Sequence, residues 1–165
     1  MDLKGYSLED IILTAIKSEV EANAIYTKLA ERVKNAILKD RLLFLASEEA
    51  KHRAFIEALH RREFPGKAIV LPERTPVPMP SVEVAAEHVP MSKVIKSAMD
   101  AERAASQFYS AFARSYTNKD PQVAKILQYF ASMEMTHYEL LEREKDTADK
   151  LEDFDGMWPM MHAGP

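Results

Sequence analysis

The chain has 165 residues, enough for one domain with a real core, and its abundant Ala, Leu, Glu and Lys favour helix. It contains no cysteine, which excludes disulfides, thiolate metal sites and iron–sulfur clusters within it. A net charge of −4 with Lys and Arg spread along the chain argues against nucleic acid or an anionic membrane as partner, and no apolar run approaches the ~18 residues of a membrane span.

Helix one opens at Ser7-Leu8-Glu9-Asp10, close to a capping box, and runs to about Lys34. Helix two spans roughly 37–62, so the first hairpin covers 7–62. Six of the nine prolines fall at 65, 72, 76, 78, 80 and 90, so 64–90 cannot be one helix. Helix three starts near Ser92 and ends near Thr117. Asp120-Pro121 supplies N-cap and first-turn signals for helix four, which continues to about Leu151 and closes a second hairpin over 92–151. An apolar tail over 152–165 follows. The 27-residue join between the hairpins suits a crossover running the length of a four-helix bundle within a single domain.

Each helix carries a stripe spaced alternately three and four residues apart, the seam of near-parallel packed helices. In helix two it reads Leu38, Leu42, Leu45, Glu49, His52, Ile56 and Leu59. In helix three it reads Met91, Ile95, Ala98, Glu102, Ala105, Tyr109, Phe112 and Tyr116. Helix four shows Val123, Leu127, Phe130, Glu134, His137 and Leu141, and helix one the looser Ile12, Ala15, Glu19, Ala22, Tyr26, Leu29 and Val33. All four seams hold a carboxylate where an apolar residue belongs. The halves also repeat. A shift of 83 residues lays Ala15, Glu19, Ala22, Tyr26 and Ala30 on Ala98, Glu102, Ala105, Tyr109 and Ala113. A shift of 85 lays Leu42, Ala46, Ser47, Glu49, His52 and Glu57 on Leu127, Ala131, Ser132, Glu134, His137 and Glu142, so the chain reads as a duplicated helical hairpin.

Glu49-Ala50-Lys51-His52 and Glu134-Met135-Thr136-His137 put carboxylate and imidazole on one helix face. With one glutamate from each of the other helices, Glu19 and Glu102, they form the inward-facing ligand set of di-iron and di-manganese bundles. Four carboxylates cancel the charge of two divalent ions, and two imidazoles suit iron or manganese. Without metal, four glutamates in an apolar core would repel one another and desolvation would push their pKa values up. The expected site therefore holds two ions about 3.5–4 Å apart.

Other features read more plainly. Glu57-Ala58-Leu59-His60 has the same spacing, but its counterparts in the second half are Glu142 and Lys145, so Glu57 and His60 are expected at the solvated end of helix two. Glu21 and Glu48 lie off the seam and are expected in solvent. Tyr26 and Tyr109 sit two turns beyond Glu19 and Glu102 on the same face. They are either core aromatics or hydroxyl donors to a carboxylate of a neighbouring helix. Met91, Met99, Met133 and Met135 read as gap-filling core, which leaves no haem ligands. His88 is expected in solvent on the crossover. The tail, with Phe154, Trp158 and His162, is too apolar for a free end, and is expected to pack on the bundle or on another subunit. The N-terminus lacks the basic-then-apolar layout of a signal peptide, so a cytoplasmic location is expected.

Glu-x-x-Ala-x-x-x-Tyr in helices one and three, with Glu-x-x-His in two and four, resembles the rubrerythrin group of the ferritin-like superfamily over roughly residues 8–150. The resemblance implies a ferritin-like four-helix bundle in which Glu49 and Glu134 bridge two metals, Glu19 and Glu102 are terminal ligands, and His52 and His137 take one metal each. It implies two iron ions, with manganese or a mixed pair as variants, a homodimer or larger assembly, and redox chemistry on hydrogen peroxide or dioxygen in oxidative stress. The chain departs from the group twice. It lacks the four-cysteine rubredoxin site, so electrons must come from a separate donor protein. It also has Met99 and Ala105, and no extra carboxylate, three residues either side of Glu102. The remaining six-ligand set is equally similar to the iron-oxidising centre of bacterioferritins, which makes ferrous iron oxidation the enzymatic alternative. A metal-sequestering or structural bundle is the alternative outside enzymes.

Overall fold

A computed structural model describes residues 1–80 and 91–161, with side chains as far as residue 147 in the last helix. The described elements are four helices: α1 Leu8–Arg32, α2 Ala36–Glu63, α3 Met91–Tyr116 and α4 Pro121–Met161. Local chemistry sets their starts. Ser7 accepts from the Asp10 amide while Asp10 accepts from the Ser7 amide, so the capping box at α1 closes with aspartate in place of glutamate. Asn35 caps α2 by accepting from the Leu38 amide. Asp120 accepts from the amides of Gln122 and Val123, and Pro121 fills the first turn of α4.

The direction of the helices follows from a few contacts. Only three residues join α1 to α2, and Lys67, just past α2, pairs with Glu9 at the start of α1, so these helices run antiparallel. Ser106 and Arg103 of α3 bond the Ala131 carbonyl and the Tyr138 hydroxyl of α4, a second antiparallel pair. Tyr26 meets Glu102 and Tyr109 meets Glu19, so α1 and α3 are antiparallel as well. It follows that α2 and α3 run the same way and the segment between them must return the length of the bundle. This is the four-helix ferritin-like arrangement.

The apolar core falls into two clusters. One holds Ile12, Ile16, Ile56, Phe112, Tyr116 and Leu127 and is fed by all four helices. The other gathers Leu29, Leu38, Leu42, Leu45, Ile95 and Leu141 at the opposite end. Between them lies a layer of buried carboxylates and imidazoles.

The crossover departs from a plain polar connector. Phe64 precedes Pro65, which cannot continue α2, and Gly66 turns the chain away with φ +79°. Val77 is 2% exposed and joins the first cluster, and its amide donates to Thr14 Oγ1 at 3.2 Å. The strap is thus tied to α1 at a buried hydrogen bond.

Three expectations need correction. Helix α4 runs to Met161 and not to about Leu151: Leu-Glu-Asp-Phe-Asp over 151–155 contains no helix breaker, and Gly156 and Pro159 further along do not end it. His60 is fully buried and not solvated, since it lies four residues after Ile56 on the core face and packs 5.2 Å from the Phe64 ring. Met135 is 36% exposed, outside the core that Met99 joins. His88 and His162 lie outside the described residues.

Replacing Thr14 by valine keeps the side-chain shape but leaves the Val77 amide buried without an acceptor. The expected loss is about 1–3 kcal/mol of unfolding free energy, read from urea denaturation. An unchanged midpoint would show that the strap is held elsewhere.

Candidate metal centre

Four seams deliver six ionisable side chains to one layer. Glu19 comes from α1, Glu49 and His52 from α2, Glu102 from α3, and Glu134 and His137 from α4. None is more than 4% exposed. Their ligand atoms form two overlapping groups, Glu19–Glu49–His52–Glu134 and Glu49–Glu102–Glu134–His137, each within a 4.8 Å sphere of mutual distances. Glu49 and Glu134 belong to both groups.

The geometry is close to twofold. His52 Nδ1 lies 3.3 Å from Glu49, 3.1 Å from Glu134 and 3.9 Å from Glu19. His137 Nδ1 lies 3.2 Å from Glu49, 3.3 Å from Glu134 and 3.9 Å from Glu102. The two rings are nearly parallel, 5.9 Å apart. Despite these distances, Oε1 of Glu49 and of Glu134 and Nδ1 of both histidines have no hydrogen-bond partner. Buried polar atoms are almost always paired, so atoms converging on shared points without bonding each other have the arrangement of a ligand set. An oxygen-and-nitrogen set of this kind fits iron or manganese.

Two tyrosines complete the layer. Tyr109 donates to Glu19 Oε1 and Tyr26 donates to Glu102 Oε1. The other oxygen of each glutamate, Oε2, is the one that faces an imidazole. Burial and the adjoining carboxylates push both phenols well up, so each stays a protonated donor. The sequence admits both a core and a hydroxyl-donor role for these tyrosines, and the structure places both hydroxyls on carboxylates across the α1/α3 seam.

The electrostatics report the strain of an all-protein cluster. Burial, reinforced by the charges of Glu49 and Glu134, raises Glu19 and Glu102 well above the carboxylate range. Burial alone would lower the imidazoles, but Glu134 and Glu49 outweigh it and lift His52 to about 9 and His137 to about 10. Glu134 is also raised by burial, and His137 and His52 overcome this to hold it at about 2. The other carboxylates stand apart. Glu21 pairs with Lys17 at 2.7 Å, Glu48 with Lys51 at 2.5 Å, and Glu57 lies between Arg53 and Arg61 on the surface.

Around the layer the two sides differ. Phe130 lies tilted against His52 with ring centres 4.2 Å apart and meets Phe55 edge-on, so aromatic rings close the α2/α4 side. On the α1/α3 side a cavity of about 30 Å³ reaches the carboxylates. A larger cleft of about 490 Å³ near Leu3, Tyr6 and Arg114 contains none of the six residues.

Near neutral pH both imidazoles of the metal-free layer hold protons, and burial favours the neutral form of Glu19 and Glu102. The stabilisation these groups give the metal-free fold is complete below their unfolded values. It is lost as pH rises through the raised ones, from 6.5 towards about 9 and 10 for the imidazoles. Binding two divalent ions at neutral pH should therefore release protons, at least those carried by His52 and His137, and apparent affinity should rise with pH. Calorimetry in buffers of different ionisation enthalpy measures this, and release of no protons would refute the exchange.

The rubrerythrin family profile matches residues 10–145. A solved structure of a hypothetical protein from Pyrococcus furiosus is similar at 31% identity and a TM-score of 0.80, covering 90% of this chain and 94% of that one. No match among curated proteins is significant.

Proposed function

The chain belongs to the rubrerythrin family, and from that premise we propose that it is a di-iron protein that reduces hydrogen peroxide with electrons from a separate donor protein. The observation that carries this reading is the pair of overlapping four-residue groups sharing Glu49 and Glu134. In it, Glu49 and Glu134 would bridge, Glu19 and Glu102 would be terminal, and each histidine would serve one ion through Nδ1.

Bound iron would supply two one-electron couples, enough for one two-electron reduction of peroxide to two waters, with two protons taken up. The chain's own residues do the rest. Tyr26 and Tyr109 hold one oxygen of each terminal glutamate, which fixes where the other oxygen points. The apolar clusters above and below keep bulk water from the layer. The 30 Å³ cavity at the carboxylates holds about two water-sized molecules, which suits a peroxide or dioxygen and excludes organic substrates. Electrons must come from outside, since the sequence has no cysteine for an iron–sulfur site. We extend the proposal to a homo-oligomer, supported by Ile37 and Phe44, two turns apart on α2 and 64% and 48% exposed. Among the described residues no helix is long and apolar enough to cross a membrane.

Ferrous iron oxidation is the second reading, favoured by one observation. Met99, 4% exposed, and Ala105 flank Glu102, so no additional carboxylate adjoins that ligand on its own helix.

Replacing both His52 and His137 with leucine should abolish tight binding of two metal equivalents while leaving helical circular dichroism, because leucine suits the seam. Retained binding of two ions would refute the ligand assignment. Stopped-flow oxidation of the anaerobically reduced protein, at equal concentrations of peroxide and dioxygen, decides the activity. Faster reaction with peroxide and turnover with an added small redox protein are expected. Faster reaction with dioxygen, followed by oxidation of added ferrous iron, would favour iron handling. Inertness of the iron-loaded protein would favour a structural or sequestering role.

A further inference from the structure

Access to the layer is uneven, and the unevenness has a residue-level cause. The rim of the 30 Å³ cavity is Ser18, Ala22 and Ile25 of α1 with Ala101 and Ala105 of α3, all partly exposed. Its floor is the four glutamates with Tyr26, all buried. Neither histidine lines it. Glu49 and Glu134 are each 1% exposed, and the Oε1 atom of each has no hydrogen-bond partner. A run of small side chains alone would mean only close helix packing. Here it opens onto unpartnered buried carboxylates, which gives the gap a chemical destination.

On the other side of the layer, Phe130 of α4 lies 4.2 Å from the His52 ring and 5.3 Å from the Phe55 ring of α2. A small molecule entering there must displace aromatic side chains. On the α1/α3 side the rim holds no aromatic ring, and Ala22 and Ala105 present only methyl groups.

We infer that small ligands of the metal pair enter through the α1/α3 seam between Ala22 and Ala105, opposite the histidines, and that these two alanines set the size limit. This rests on the di-metal reading above. The ligand class is a molecule of two or three heavy atoms, such as peroxide, dioxygen or azide. Ala22 and Ala105 occupy equivalent positions in the two halves, so the gate is itself duplicated. Their side chains leave room for about two water-sized molecules. A leucine at either position fills that space.

The test uses cobalt(II)-loaded protein, whose visible absorption reports metal geometry, with azide as probe. Ala105→Leu and Ala22→Leu should bind two cobalt ions with the wild-type spectrum. The rate of the azide-induced spectral change should fall about tenfold or more. Where leucine disturbs the spectrum or the fold, Ala105→Val and Ala22→Val add only two methyl groups at partly exposed sites and should show a smaller fall in the same direction. Two bound cobalt ions with an unchanged azide rate in every variant that folds would overturn the inference and leave the di-metal reading intact. Unchanged rates there with faster entry in Phe130→Ala would place the route on the α2/α4 side, which also overturns it. Failure of the wild-type chain to bind two cobalt ions would overturn the di-metal reading itself.

Discussion

Four carboxylates and two imidazoles occupy a single layer at the centre of the bundle, and the cost of taking them out of water organises the rest of the structure. Desolvation of even one unpaired ion costs several kcal/mol. In the metal-free chain the cluster answers by holding protons, on raised glutamates and raised histidines. The apolar clusters at either end of the layer give the fold its stability, yet they also make the layer expensive by excluding water. A cationic occupant would offset the repulsion among these carboxylates. Stability and affinity therefore share one origin.

That constraint explains why the hydrogen bonds of the tyrosines cross between hairpins. Tyr26 of the first hairpin bonds Glu102 of the second, and Tyr109 of the second bonds Glu19 of the first. Glu19 and Glu102 each turn one oxygen toward an imidazole and give the other to a phenol that burial keeps in its protonated form. Direct packing is concentrated within the hairpins, and α1 and α3 approach each other across small residues. The tyrosines thus tie the halves where the backbone seam is thin. The crossover adds a second tie at Thr14 and Val77.

Much of this could be read from the chain. The carboxylates stood out because each broke an apolar stripe at the same height, and the repeat located the same break twice. Helix ends fell within about two residues where a cap or proline marked them. What escaped lacked a local signal. Val77 is one apolar residue among prolines, and only the path of the strap over α1 buries it. His60 follows the core face of α2 beyond the strict seam, where the stripe widens. The end of α4 lies ten residues beyond the sequence expectation because the apolar tail reads as a separate segment. The gap at Ala22 and Ala105 has no local signal, since alanine in a seam is ordinary packing unless buried carboxylates lie beneath it.

The duplication has a practical consequence. Because Glu19 answers Glu102, Tyr26 answers Tyr109 and Ala22 answers Ala105, nearly every residue of the layer has a counterpart in the same molecule under nearly the same field. Any difference between matched single substitutions then isolates what breaks the symmetry, such as the tie of the Pro-rich strap to Thr14 of α1 or the longer fourth helix. The protein carries its own internal reference, and the departure of one half from the other becomes a measurable quantity.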